Sequence, residues 1–208
     1  MENNTQKMPV MIFDYGCVLL DWNPHYLFRH FLGEDPQATL DFIRETDFFA
    51  WNVENDRGMP FAENAARLIA RFPQYEALIW AYHERFSETV GGAIQPTVDI
   101  LYELKAAGHP IWGLSNWPAD KFAEIRPRFP FFSDFDGMVI SGEVGLVKPE
   151  KPIFDYLLAQ AGRPAADCLF IDDNPPNITA ARGFGFQTIR FTSADDLREE
   201  LNALGILS

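Results

Sequence analysis

The stretch Met11-Ile12-Phe13-Asp14-Tyr15-Gly16-Cys17-Val18-Leu19-Leu20 decides the fold of this chain. Its first part, preceded by Pro9, is a short apolar run that ends abruptly in a carboxylate, which is typical of a buried parallel strand reaching the surface. Asp14 is then expected at the carboxyl end of that strand. Ligands bind at this edge in open α/β sheets, although a single aspartate there is more often a turn or helix-capping residue.

The rest of the chain divides into a helical part and an alternating part. From Asp21 to Gly92 we find only helical periodicity and no plausible strand, with helices expected over 26–32, 36–46, 48–55, 60–71 and 75–90. From Gln95 onward, helices alternate with short apolar strands expected at 110–114, 137–141, 168–171 and 186–191. This pattern predicts an α/β fold, a Rossmann-like parallel sheet core with an inserted helical cap domain. We expect the core domain over residues 1–20 and 93–208 and the cap domain over residues 21–92.

Composition and charge exclude several classes of protein. The 208 residues are 47% hydrophobic with a net charge of −13, and no cluster of Lys and Arg is present. We therefore expect no nucleic-acid partner and no binding to an anionic membrane surface. There is neither an apolar run of membrane-spanning length nor a signal-peptide pattern, and the two cysteines, Cys17 and Cys168, form no disulfide framework. The expectation is a cytoplasmic protein that is a monomer or a weak homodimer.

Polar residues follow four of the expected strands. They are Asp14, Ser115-Asn116, Lys148 on the loop after Ser141, and Asp172-Asp173. Each alone has an ordinary explanation as a helix cap, a solvated lysine or a capping turn. A parallel sheet, however, places all its carboxyl ends side by side, so the set predicts one polar site.

That set contains the groups needed for phosphoryl transfer. The three carboxylates form a hard oxygen site suited to Mg²⁺, and Asp14 can attack phosphorus to give an aspartyl-phosphate that water then hydrolyses. Ser115 and the backbone amide of Asn116, expected at a helix start, can donate hydrogen bonds to phosphoryl oxygens. Lys148 adds positive charge where charge spreads in the transition state.

The same residues resemble the four motifs of the haloacid dehalogenase-like hydrolase superfamily, over residues 11 to about 190. The motifs are Phe13-Asp14, Leu114-Ser115-Asn116, the run from Lys148 to Phe154, and Phe170-Ile171-Asp172-Asp173-Asn174. The resemblance implies Mg²⁺ dependence and, most often, phosphatase activity on small phosphorylated metabolites. It implies that Asp14 is the nucleophile, Ser115 the phosphate-binding hydroxyl and Lys148 the charge-stabilising lysine. Asp172 and Asp173 match its metal-binding acidic pair.

One position departs from the family pattern. Phosphatases of this superfamily usually carry a second aspartate two residues after the nucleophile as general acid and base, and here that residue is Gly16. Its carbonyl can still bind the metal, but it cannot move a proton, a loss that typically costs about 10²- to 10⁴-fold in rate. The run Asp14-Tyr15-Gly16 resembles a subfamily variant with aspartate, any residue and then glycine. Some members of that subfamily are similar to sugar-phosphate phosphatases. His25, Glu54 or Asp56 could assist, although each is more often an ordinary helix or loop residue.

The leading hypothesis is a Mg²⁺-dependent phosphohydrolase acting on a small, sugar-like phosphate. Alternatives are a 2-haloacid dehalogenase, which needs no metal and leaves the Asp172-Asp173 pair unexplained, and a family member that has lost catalysis and only binds. A phosphorylatable receiver module is discounted because its acidic pair precedes the acceptor aspartate. For contacts to the leaving group, the candidates from the cap are Trp51, Asn52, Glu54, Asp56 and Arg57, and those near the strand ends are Trp22 and Trp117.

Overall fold

In a computed structural model that describes residues 8–207, five parallel strands form one sheet with helices on both faces. The strands of the described part are β1 (Val10–Phe13), β2 (Leu20–Trp22), β3 (Val90–Ala93), β4 (Ile111–Ser115), β5 (Gly137–Ile140), β6 (Cys168–Asp172) and β7 (Gln187–Arg190). The parallel sheet has the order β5-β4-β1-β6-β7, so β1 lies at its centre. The α/β fold class is confirmed.

Eleven helices occur in the described part. They are α1 (His25–Leu32), α2 (Pro36–Thr46), α3 (Phe48–Asp56), α4 (Phe61–Arg71), α5 (Glu76–Glu84), α6 (Gln95–Ala106), α7 (Ala119–Ile125), α8 (Ser141–Val144), α9 (Lys151–Ala161), α10 (Pro175–Gly183) and α11 (Ala194–Ala203). None of them is long and apolar enough to cross a lipid bilayer.

The central strand is apolar on both sides because both faces of the sheet are covered. All four residues of β1 are buried. Val10 and Ile12 pack into the hydrophobic cluster on one face, and Met11 and Phe13 pack into the cluster on the other. The alternation of side chains along a strand produces this division, and it explains why the strand is a continuous hydrophobic run.

Strand register fixes the position of the residue that follows β1. Phe13 pairs with Gly113 of β4 and with Ile171 of β6, and the amide of Asp14 donates to the carbonyl of Ile171 at 2.9 Å. Asp14 therefore stands between the carboxyl ends of the two neighbouring strands.

Aromatic side chains hold the inserted helices together. Phe28 of α1 packs edge-to-face on Phe42 of α2 and Phe48 of α3, with ring centroids 5.1 and 5.5 Å apart. Phe48 in turn contacts Tyr82 of α5 at 4.9 Å. Rings in this geometry add to the stabilisation that comes from burial itself.

The expectation of helices alone over 21–92 was wrong. β2 and β3 pair antiparallel and enclose the helical segment, and the helix expected over 75–90 ends at Glu84, before a short 3₁₀ turn and β3. Glycine in a strand weakens its sequence signal, and β3 contains two glycines. A Cβ at Gly91 would lie 2.6 Å from the Asp21 carboxylate and 2.9 Å from the Tyr26 ring, so a larger residue there would force these side chains to shift. The domain limits at 20/21 and 92/93 stay a prediction.

Candidate active site

One cavity of about 400 Å³ is lined by all the polar residues expected at the strand ends except Asp172, which is fully buried. Asp14 follows β1, Ser115 ends β4, and Asp172 ends β6. Lys148 reaches the same place from the loop after α8. Carboxylate oxygens of Asp14, Asp172 and Asp173 lie within 4.8 Å of one another. The structure therefore brings together residues that are up to 159 positions apart in the chain.

Three donors converge on one oxygen of Asp14. Its Oδ1 accepts from the amide of Tyr15 at 2.7 Å and from Ser115 Oγ at 2.9 Å, and lies 2.9 Å from Lys148 Nζ. The other oxygen, Oδ2, receives none of these contacts. These contacts hold the carboxylate in one orientation. The residue is buried, with only 8% of its surface exposed.

Lys148 forms ion pairs with the aspartates at the ends of both β1 and β6. Its buried ammonium lies 2.6 Å from Asp172 Oδ2 as well as 2.9 Å from Asp14. Burial opposes the charged form, but the two carboxylates outweigh that effect and raise the pKa of Lys148 above its ordinary value. A buried ammonium paired in this way stays charged.

Asp172 is fully buried and has three further polar contacts. Its Oδ1 accepts from the amide of Asn174 at 2.8 Å, and Asn177 Nδ2 reaches both carboxylate oxygens at 3.0 and 3.1 Å. Sequence reasoning missed Asn177. The available signal was its place in the first turn of α10, directly after the last motif, where a side chain faces the sheet edge.

Burial and neighbouring negative charges raise the pKa values of Asp14 and Asp173. Burial, offset by Lys148 but reinforced by Asp172 and Asp173, raises the pKa of Asp14 to about 7. Burial and then Asp172 raise the pKa of Asp173. Three carboxylates share one ammonium here, so the site holds an excess of negative charge that a divalent cation would balance. The donor set is all oxygen, which suits a hard cation.

The Asn116 side chain holds the loop that carries Lys148. Its Oδ1 accepts from the amide of Lys148 at 2.8 Å, and its Nδ2 donates to the Lys148 carbonyl at 3.0 Å. The expected helix start at Asn116 was wrong, since α7 begins at Ala119. Pro118, which follows Asn116 by two residues, is not helical and separates the strand end from the helix.

Gly16 and Cys17 also line the cavity. A Cβ at Gly16 would have no neighbour closer than 3.9 Å, so a side chain has room there. Burial, with the nearby aspartates, raises the pKa of Cys17 to about 12. The neutral thiol, which is the less reactive form, is therefore favoured at neutral pH.

The seven substrate candidates fall into two groups. The cavity is lined by Trp22, Asn52, Asp56 and Trp117. Trp51 packs inside the cap against Phe48, and its indole N–H donates to the carbonyl of Asn64 at 3.0 Å. Arg57 forms a two-point ion pair with Glu150 on the surface, at 2.7 and 3.0 Å. The structure places Trp51, Glu54 and Arg57 outside the residues that line the cavity.

One side of α3 faces the cavity. Phe49, Asn52, Val53 and Asp56 form its upper wall, because they share one side of the helix at spacings of three and four. His25 is bound elsewhere, with Nδ1 2.8 Å from the hydroxyl of Thr39. Of the groups considered as proton carriers, the structure brings only Asp56 to the cavity within the described part of the chain.

The geometry defines an acidic site at the carboxyl edge of a Rossmann-like sheet. The family model for haloacid dehalogenase-like hydrolases matches residues 28–185. The chain belongs to this family of hydrolases, which confirms the resemblance derived from its motifs.

Individual relatives have several activities. The chain is 30% identical to D-ribitol-5-phosphate phosphatase of Bacteroides thetaiotaomicron over 93% of its own length and 97% of that protein. It is 32% identical to drimenol cyclase drtB of Aspergillus calidoustus over 92% of its length, but spans only 35% of that longer protein. An (S)-2-haloacid dehalogenase of Pseudomonas fluorescens is 27% identical over 51% of this chain and 47% of its own.

A solved structure shares the fold. It is a haloacid dehalogenase family enzyme, BT-2542 of Bacteroides thetaiotaomicron, in complex with magnesium and inorganic phosphate. The two have a TM-score of 0.68 and 19% identity, over 90% of this chain and 96% of that one.

Proposed function

We propose that the protein is a phosphohydrolase that cleaves small phosphate monoesters through an aspartyl-phosphate on Asp14. The carrying observation is the convergence of Tyr15 N, Ser115 Oγ and Lys148 Nζ on Oδ1 of Asp14. This contact set orients the carboxylate for attack through Oδ2. The phosphatase activity of the ribitol-phosphate relative supports the proposal.

The acidic group would hold Mg²⁺. Asp14, Asp173 and Asp172 supply carboxylate oxygens, and the carbonyl of Gly16 lies at the same cavity. When bound, the ion supplies positive charge that favours the ionised form of Asp14 and neutralises the substrate phosphate. The magnesium and phosphate bound by the structural neighbour accord with this assignment.

The remaining residues would bind and stabilise the phosphoryl group. Ser115 donates its hydroxyl, and the amide of Asn116 is the next donor along the strand end. Lys148 keeps its charge beside Asp14 and opposes the negative charge that spreads over the phosphoryl oxygens. Because the side chain of Asn116 is bound to the Lys148 backbone, it would also keep that ammonium in place.

The cavity favours a small, polar leaving group. Its volume is about 400 Å³, and its upper wall combines the polar Asn52 and Asp56 with the ring of Phe49. Trp117 also lines the cavity. A phosphorylated sugar or polyol would use such a wall through its hydroxyls, and the relative that acts on D-ribitol 5-phosphate fits this class.

The nucleophile is tested with Asp14→Asn. We expect hydrolysis of p-nitrophenyl phosphate to fall by at least about 10⁴-fold, as for loss of a nucleophile in other hydrolases. Near-UV circular dichroism should stay unchanged, because an amide has the same shape as the carboxylate. Asp41→Asn on the exposed face of α2 is the matched control. Unchanged hydrolysis in Asp14→Asn would refute the proposal.

Metal removal separates phosphatase from dehalogenase, the second activity that a relative supports. We expect EDTA to abolish phosphate release and added Mg²⁺ to restore it. Chloride release from 2-chloropropionate that survives EDTA, with no phosphatase activity, would favour the dehalogenase. A panel of phosphorylated metabolites without any Mg²⁺-dependent turnover would favour a binding protein.

A further inference from the structure

Asp56 is a buried carboxyl group that the reaction as described above does not use. It is the last residue of α3, is only 7% exposed, and lines the same cavity as Asp14 and Lys148. Its direct hydrogen-bond partner is the Asn52 amide, which reaches the two carboxylate oxygens at 3.2 and 3.3 Å. Among residues 8–207, no basic side chain forms an ion pair with it. Burying a carboxyl group without a cation is costly, which makes a functional role worth testing.

The surroundings of Asp56 favour its protonated form. Burial raises the pKa of Asp56 well above its ordinary value; the charge of Lys148 opposes this rise, and the charge of Asp14 adds to it. The groups that face it are Asn52 on its own helix, the Tyr82 hydroxyl of α5, and Lys148 and Asp14 across the cavity. A protonated carboxyl group in this position can donate a proton into the cavity.

The other carboxyl, ammonium and thiol groups of the cavity are committed elsewhere, and burial raises the pKa of the Tyr82 hydroxyl well above its ordinary value. Asp14 is the proposed nucleophile, Asp173 belongs to the acidic group that fits a cation, and Lys148 stays charged between two carboxylates. The Cys17 thiol has a pKa of about 12. At the floor, Gly16 has no side chain at all. Among the described residues that line the cavity, Asp56 is the carboxyl group that remains.

The backbone that follows Asp56 packs closely against α8 of the core. Gly58, two residues further on, has a φ of +96°, and a Cβ there would lie 3.3 Å from the carbonyl of Gly142 in α8. The end of α3 therefore touches the core directly. This contact joins the end of the helix that carries Asp56 to the core beside the cavity.

We propose that Asp56 is the general acid and base of the hydrolysis proposed above, on which this inference rests. In the first step Asp14 bonds to phosphorus, the bond from phosphorus to the ester oxygen breaks, and that oxygen takes the proton of Asp56. In the second step water gives a proton to the Asp56 carboxylate and its oxygen bonds to phosphorus. The bond to Asp14 breaks, phosphate leaves, and both aspartates return to their starting forms.

The test compares two aryl phosphates with different leaving groups. Phenolate is more basic than p-nitrophenolate and needs a proton as it leaves, whereas p-nitrophenolate does not. In Asp56→Asn we expect phosphoenzyme formation from phenyl phosphate to slow by about 10²- to 10⁴-fold, and formation from p-nitrophenyl phosphate to change less than tenfold. Loss of the base in the second step should give a burst of p-nitrophenolate and a trapped phosphoenzyme. Asp41→Asn should behave as the unaltered protein.

A second variant distinguishes proton transfer from a structural role. Gly16 has room for a side chain. Adding Gly16→Asp to Asp56→Asn should therefore raise the rate of phosphoenzyme formation from phenyl phosphate at least tenfold above that of Asp56→Asn. If Asp56→Asn does not fold, Asp56→Ser replaces it, since serine also lacks a carboxyl group. An equal loss of rate on both substrates, or no loss on either, would overturn the role of Asp56 but leave the proposed phosphohydrolase function standing. An unaltered protein that hydrolyses neither substrate would overturn the proposed function and this inference with it.

Discussion

The cavity has a floor, formed by Asp14, Lys148 and Asp172 at the strand ends, and a roof, the upper wall formed by α3. The two hold their charged groups in different ways. On the floor, Asp14 and Asp172 share Lys148 and have further donors, so each buried charge has a partner at hydrogen-bond distance. On the roof, Asp56 has one amide and no ion pair within the described residues. Lys148 offsets part of the effect of burial on the pKa of Asp14, whereas Asp56 has no ion pair among the described residues and burial raises its pKa well above its ordinary value. The contrast separates groups that bind and attack from a group suited to proton transfer.

The largest effect on stability is expected where the floor is broken. Lys148→Met leaves Asp14 and Asp172 without their cation, and removing one partner of a buried ion pair costs about 3–5 kcal/mol. Urea unfolding in EDTA should show this loss of free energy of unfolding. Lys151→Met removes an exposed lysine that pairs with Asp155, and its change should stay within about 0.5 kcal/mol. Equal changes in the two variants would show that the floor is not held by Lys148.

A smaller effect is expected from the layer beneath the floor. A Cβ at Gly113 of β4 would overlap with the ring and hydroxyl of Tyr15, the residue after Asp14. Tyr15 is packed among the rings of Phe122 and Phe132, so it cannot move freely. Gly113→Ala should therefore lower the free energy of unfolding by about 1–3 kcal/mol and lower turnover by displacing Asp14.

The control for this variant is another glycine. Gly183→Ala, at the end of α10, meets nothing within 4 Å, and the helix propensity of alanine makes it neutral or stabilising by up to about 1 kcal/mol. Thermal unfolding followed by circular dichroism measures both. A Gly113→Ala protein as stable as the unaltered one would show that Tyr15 has space to adjust.

The smallest effect is expected at the surface pair that joins roof and floor. Arg57 follows α3 and binds Glu150, two residues after Lys148. Both side chains are at least one-third exposed, so Arg57→Ala should cost no more than about 1 kcal/mol. A KM that rises with kcat unchanged would instead support the substrate contact expected from the sequence.

The pH dependence of this pair has a defined sign. Its hydrogen bond to Arg57 lowers the pKa of Glu150, so the pair stabilises the folded state above the ordinary pKa of glutamate, about 4.3. That contribution is lost as pH falls through the lowered folded-state value. The difference in stability between Arg57→Ala and the unaltered protein should be full at pH 7 and shrink as the pH falls below the ordinary pKa of glutamate. A difference that does not shrink in acid would point to packing rather than charge.

Prediction from sequence succeeded on the strands of the parallel sheet and was weaker in the segment between β1 and α6. The ends of β1, β4 and β6 were located to within one residue, and the polar residues after them meet as expected. In the cap, the helices were found but β2 and β3 were not. Trp51 and Arg57 looked suited to a substrate, yet one is interior packing and the other a surface ion pair.

The sequence by itself determined the sheet and the identity of the groups at its carboxyl edge. Parallel strands have a fixed spacing and direction, so a residue that ends an apolar run must lie beside the ends of its neighbours. Only the tertiary structure decided that Asn177 supports Asp172, that Asn116 holds the Lys148 loop, and that Asp56 faces the cavity. Those contacts depend on how a helix is rotated and tilted against the sheet, and packing among many side chains fixes this orientation, which no local pattern encodes.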